Sequence, residues 1–150
     1  IDGKSFLKAL FGKEKEHRRF AYGIHNNIPE GTAYPIRSIR DKRYKLILNL
    51  TPEVEYFEKH LMNLKNERSV WASWIESTKT DKRARYFVDR YVKRPAIEFY
   101  DMQKDPWELN NLAEEKKYAK RIAMMKGELE AWMRQQGDTG AQMDVKIKKQ

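Results

Sequence analysis

The chain holds three histidines, His17, His25 and His60, and no cysteine. No two of the histidines have metal-ligand spacing, so neither a zinc site nor a cysteine nucleophile is expected. Asp101-Met102-Gln103-Lys104-Asp105 lacks the alternating Asp/Asn ligands, the glycine and the closing glutamate of a calcium loop, and its acids read as turn and cap residues. Gly3-Lys4-Ser5 ends like a phosphate loop, but the glycine four positions earlier and the preceding strand are missing. There is no Gly-x-Ser-x-Gly elbow and no nucleotide-binding glycine loop. Two clusters remain. His25-Asn26-Asn27 follows a run with strand spacing and opens a polar loop. It reads either as turn chemistry, since Asn tolerates left-handed backbone, or as a rim of hydrogen-bonding groups around a polar ligand. Arg37, Arg40, Lys42, Arg43 and Lys45 crowd one hairpin. They read as a solvated edge or as an anion-binding face, and their spacing keeps them from all meeting one ligand.

The elements that would position these residues are legible from spacing. Phe6, Leu7, Leu10 and Phe11 mark one face of a short helix, with Ser5 as its cap and Gly12 as its stop. Phe20, Tyr22 and Ile24 alternate, predicting a strand over 19–25. Residues 34–40 and 44–50, turned by Asp41-Lys42-Arg43, predict a hairpin. In its second arm Tyr44, Leu46, Leu48 and Leu50 share a face and Ile47 lies opposite, as in a central strand covered on both sides. Residues 53–92 lean helical and are rich in aromatics, and 96–101 reads as a last strand. Asp105-Pro106-Trp107-Glu108 has the pattern of a helix start, with Asp as cap, Pro at the first position and Glu three residues on. Tyr118, Ile122, Met125, Leu129 and Trp132 form the apolar stripe of a final helix over about 114–136, over roughly 30 Å long and closed by Gly137. The order predicts an α+β fold: a small antiparallel sheet of about four strands with helices on one side, including a long C-terminal helix. The domain is expected over 1–138, with 139–150 a polar tail.

Composition narrows the function. The 150 residues carry 31 Lys+Arg against 22 Asp+Glu, a net +9, and the first 50 hold 11 basic and 5 acidic side chains. No apolar run approaches the roughly 20 residues of a membrane-spanning helix. With 12% aromatic residues the chain has enough surface to bury to escape disorder. The basic excess points to a polyanionic partner. The chain starts at Ile1 without Met, which reads either as a chain whose leader was removed or as a piece of a longer protein.

The hairpin Tyr34-Pro35-Ile36-Arg37-Ser38-Ile39-Arg40-Asp41-Lys42-Arg43-Tyr44-Lys45-Leu46-Ile47-Leu48-Asn49-Leu50 resembles the C-terminal subdomain of sulfatases. So do Glu98-Phe99-Tyr100-Asp101 with Asp105-Pro106-Trp107-Glu108-Leu109-Asn110-Asn111-Leu112, the opening Asp2-Gly3-Lys4-Ser5-Phe6-Leu7, and the closing Leu129-Glu130-Ala131-Trp132-Met133. The resemblance covers about residues 1–138 and is nearest to the bacterial N-sulfoglucosamine sulfohydrolase (heparan N-sulfatase) group. It implies a periplasmic or secreted hydrolase of sulfate esters or sulfamates. Its formylglycine, made in a Cys/Ser-x-Pro-x-Arg motif, and its calcium ion would both lie in an N-terminal catalytic domain. This chain has no such motif. It is therefore expected to be inactive alone, with no catalytic or metal-binding residue of its own. It would complete the fold and shape the pocket for a sulfated glycan, with His25, Asn26, Asn27 and Arg37 facing that pocket. Separated from its partner domain it would expose an apolar patch and could self-associate. The alternative is a stand-alone basic nucleic-acid-binding module, favoured by the net charge but without a recognised motif.

Overall fold

The computed structural model describes residues 4–28, 31–65 and 69–143. Asp2 and Gly3 of the opening stretch, and the tail beyond 143, lie outside the described residues. Four strands form one antiparallel sheet in chain order: β1 Ala21–His25, β2 Ile36–Arg40, β3 Tyr44–Asn49 and β4 Ile97–Asp101. The β2–β3 turn is made by Asp41, whose carboxylate accepts the backbone N–H groups of Arg43 (2.8 Å) and Tyr44 (2.7 Å). That side chain replaces the glycine a tight turn otherwise uses. With the helices α1 Leu7–Leu10, α2 Val70–Ser77, α3 Lys82–Val92 and α4 Ala119–Gln135, the fold is α+β as predicted.

Register places Tyr22, Ile39, Leu46 and Phe99 in one row across the sheet. α4 lies over this row with Ile122, Met125 and Leu129 buried in it. Burial contributes about 1.5–3 kcal/mol per apolar side chain, an upper figure for a compact unfolded state. The two ends of the stripe close on aromatic rings. Trp132 stacks on Tyr22 with centroids 4.6 Å apart, and Tyr118 meets Tyr44 edge-on at 6.0 Å.

Helices cover both faces of the sheet, where the sequence predicted one. The reason lies in the aromatics of 53–92, which build a second core. Tyr34, Tyr56, Met62, Trp71 and Val88 bury together, with Ile36, Ile75 and Tyr91 packed against them. α3 reaches the sheet through Arg90, whose guanidinium donates to the Tyr100 hydroxyl (2.5 Å) and to the carbonyl of Leu109 (2.9 Å). Tyr100 in turn donates to buried Glu98. Ser69 caps α2 and Asp81 caps α3, each through its side-chain oxygen.

Residues 105–108 do not start a helix. Asp105 spends its carboxylate on the N–H of Asn110, five residues on (2.8 Å), and Glu108 sits at φ 54 in the left-handed region. The turn sends the chain back along β4. There Asn111 accepts from Phe99 N–H (2.9 Å) and donates to the Ile97 carbonyl (3.1 Å), while Leu112 N–H bonds the Phe99 carbonyl (2.8 Å). An open sheet edge is thereby sealed by a side chain and a stretch of backbone. Residues 111–113 are held in this way, so α4 begins at 119, after a 3-10 turn over Lys116–Tyr118, and is about 25 Å long rather than over roughly 30 Å. The expected tail is also partly folded. Asp138 is buried, and Gly140–Met143 forms a 3-10 turn beyond the boundary expected at 138.

At the other end of the chain, Ser5 Oγ accepts from Leu7 N–H (3.3 Å), and Gly12 stops α1 at φ 69. The apolar face of α1 is largely open: Phe6, Leu7, Leu10 and Phe11 are all more than half exposed, and Phe6 meets the His17 ring edge-on at 6.5 Å.

Candidate functional site

β1 ends at His25, paired with Ile36 at the start of β2. The connecting loop is fixed from below by Asn27. Its backbone takes φ 61, the left-handed conformation that Asn accepts at little cost. Its amide donates to the carbonyls of Thr32 (2.9 Å) and Phe57 (2.6 Å). Gly31 is obligatory here, because a Cβ at that position would lie 1.8 Å from the Phe57 carbonyl oxygen. These contacts tie the loop to residues 57–58, and Gly31 bridges to Glu58.

Arg37 is the largest fully buried side chain, 1% exposed. Its Nε and Nη2 donate to the two oxygens of Asp138 (2.5 and 3.2 Å), and Nη1 donates to Asn26 Oδ1 (2.8 Å) and to the Ile36 carbonyl (3.0 Å). A bidentate guanidinium–carboxylate pair has a fixed plane, so Asn26 is oriented by it. Arg37 holds the Asp138 carboxyl below its ordinary value through these hydrogen bonds, and the Gly140 N–H adds to the effect. Because Asn26 gives its oxygen to Arg37, its amide nitrogen is left as a pre-oriented donor. His25, the residue before it, is exposed, with its ring 6.2 Å from that of Tyr56.

The structure joins Asn26 to Arg37 but sets His25 on the other face of the sheet, where it pairs with Ile36 and its ring lies near Tyr56. His25 is exposed and Asn26 half-buried. Asn27 and Arg37 are buried, each engaged by partners of this chain. For Arg37, expected to face a pocket, the visible contacts are those that position Asn26. Sequence reading missed Asp138, at the boundary of the expected domain, and Tyr56, one aromatic among many. The one available signal was an acid directly after the helix stop Gly137.

The basic hairpin is mostly neutralised within the fold. Arg43 pairs with Asp101 (2.7 Å), Lys45 with Glu108 (2.8 Å) and Lys42 with Glu16 (2.5 Å). Asp41 pairs with Arg121 from α4 (2.6 Å), and the Arg43 and Arg121 guanidinium groups lie 4.9 and 5.0 Å from the Tyr44 ring. Cations held this way are poorly placed to track a nucleic-acid backbone, which needs free Lys and Arg along one face. Among the described residues no group of three or more His, Cys, Asp or Glu side chains converges to hold a metal ion. Nor is any helix among them long and apolar enough to cross a membrane.

No protein-family model matches the chain. Over 144 residues it is 34% identical to an ulvan-active sulfatase of Formosa agariphila, a match that covers 92% of this chain and 25% of that protein. A second ulvan-active sulfatase of the same bacterium is 30% identical over 140 residues, 92% of this chain and 22% of its own length. Human N-sulphoglucosamine sulphohydrolase is 25% identical over 141 residues, 88% of this chain and 26% of that protein. The fold recurs in the solved structure of a 2-O GAG sulfatase, with a TM-score of 0.57 at 22% identity over 91% of this chain and 21% of that one. The chain spans about a quarter of the length of the curated relatives it matches.

Proposed function

The chain is homologous to the C-terminal part of sulfatases, and from that premise we propose that it is the C-terminal accessory subdomain of a carbohydrate sulfatase. In this reading it completes the fold of the catalytic domain and shapes the pocket for a sulfated sugar. The observation that carries the proposal is the coverage: nearly the whole chain matches, and it matches only a quarter of each relative. Exposed His25, and half-buried Asn26 held by Arg37 and through it by Asp138, support the pocket role. An imidazole and an oriented amide donor each suit the hydroxyl and sulfate oxygens of a sugar.

The catalytic chemistry belongs, in this proposal, to the rest of the protein. There a formylglycine and a calcium ion would carry the hydrolysis of the S–O or S–N bond. The present residues do not fit either group. The sequence has neither cysteine nor a Ser-x-Pro-x-Arg run, and no acidic cluster among the described residues is built for a metal. The apolar face of α1 is proposed to pack on the catalytic domain, and in the isolated chain it would promote self-association. The full-length protein would work in the periplasm or outside the cell on a sulfated glycan.

Sulfate release from sulfated saccharides tests this. The full-length protein should release sulfate, and the chain alone should release none with or without calcium. Turnover by the isolated chain, or none by the full-length protein, overturns the proposal.

A further inference from the structure

Between α2, α3 and the sheet face opposite α4 runs a groove of about 780 Å³ that no step above uses. Its walls are aromatic: Trp74, Phe87 and Tyr91 line one side, and Trp107, 80% exposed, stands at the rim. The lining holds four cations, Lys45, Arg83, Arg90 and Arg94, against the acids Asp81, Glu98 and Glu108. Most are already committed. Lys45 pairs with Glu108, Arg90 lies 3.9 Å from Glu98, and Asp81 caps α3. Arg94 is different. Its guanidinium lies over the rings of Tyr56 (4.9 Å) and Tyr91 (5.4 Å), and its Nε is buried without a hydrogen-bond partner. Arg83 rests on Phe87 at 5.7 Å with its side chain exposed. A file of packed rings, with Tyr56 and Trp71 buried, runs from His25 to the groove wall. His25 is 6.2 Å from Tyr56, Tyr56 is 5.5 Å from Tyr91, Tyr91 is 5.5 Å from Trp71, and Trp71 is 5.9 Å from Trp74.

We propose that this groove is a second saccharide-binding site, holding sulfated sugar units distant from the one in the substrate pocket. The inference rests on the reading of the whole protein as a carbohydrate sulfatase. Indole and phenol faces suit the C–H faces of a pyranose, and uncommitted guanidinium groups suit a sulfate ester. A polymer engaged at both places is bound more tightly than a single sugar, by effective concentration.

The test uses the full-length protein with Trp107→Ala and Arg83→Ala. Both side chains are exposed, so the fold should survive, which an unchanged melting temperature checks. The probes are a heparin octasaccharide, an ulvan octasaccharide and their desulfated counterparts. Wild type should bind at least one sulfated probe, and each variant should weaken that binding about tenfold. Turnover of a monosaccharide-sized sulfated substrate should stay unchanged, which separates failure of the groove from failure of the sulfatase reading. Wild-type binding by both variants, binding of neither sulfated probe by wild type, or equal binding of the desulfated probes overturns the proposal. So does a wild-type protein in which the remainder of the chain fills the groove and shields Trp107 from a soluble quencher.

Discussion

Arg37 in β2 and Asp138, just past the end of α4, form a bidentate ion pair across 101 residues of sequence, with side chains 1% and 4% exposed. The pair joins the sheet to the end of the chain and sets the orientation of Asn26. Removing one partner leaves the other charged and buried. Asp138→Ala should therefore destabilise the subdomain by about 3–5 kcal/mol, read as faster hydrogen exchange of the β2 amides in the full-length protein. Exchange rates equal to wild type would show that the pair contributes little.

The same pair makes stability depend on acid. The Asp138 carboxyl is depressed from its ordinary value of 3.8 by the Arg37 hydrogen bonds, and Asp101 is depressed by Arg43. A depressed carboxyl contributes stability that is full above its unfolded value and lost as pH falls through the folded one. Unfolding followed by urea should show stability falling with pH from about 4 downward. Asp138→Asn should be less stable at neutral pH and should show a shallower acid slope.

Much of this architecture is legible in the sequence, where one side of an element faces a core. The alternation Tyr44, Leu46, Leu48 places β3, and the stripe from Tyr118 to Trp132 places α4 and the face it buries. The cap pattern at Asp105 misleads because tertiary hydrogen bonds from Asn111 to β4 compete with a local helix and win. The site is half legible. His25-Asn26-Asn27 stands out as a polar loop after a strand, and the turn reading holds for Asn27, at φ 61 with its amide on the Thr32 and Phe57 carbonyls. The burial of Arg37 is invisible locally, because its carboxylate partner lies in a polar segment with no apolar pattern to place it.

On the sheet face toward α3, Tyr100 donates to Glu98 and accepts from Arg90, and burial together with Glu98 raises its hydroxyl pKa far above the usual range. Tyr100→Phe leaves the buried carboxylate one donor short. The expected cost is about 1–3 kcal/mol in chemical unfolding, with no change in the fold. A neutral result would mean that Asn49, which donates to Glu98 at 2.8 Å, suffices alone.

Asn111 seals the outer edge of β4 through Phe99 and Ile97. Asn111→Ala should cost about 1–3 kcal/mol by orphaning those groups, and the Phe99 amide should exchange measurably faster than those of β3. Equal protection in the variant would assign the seal to the Leu112 backbone alone.

We propose that His25 and Asn26 each contribute to the substrate pocket of the full-length protein. Steady-state kinetics of the full-length protein on a sulfated oligosaccharide, for wild type, His25→Ala and Asn26→Ala, test it most directly. The expected result is kcat/KM lowered about tenfold or more in each variant, with the melting temperature of His25→Ala unchanged. Wild-type kinetics in both variants would contradict it.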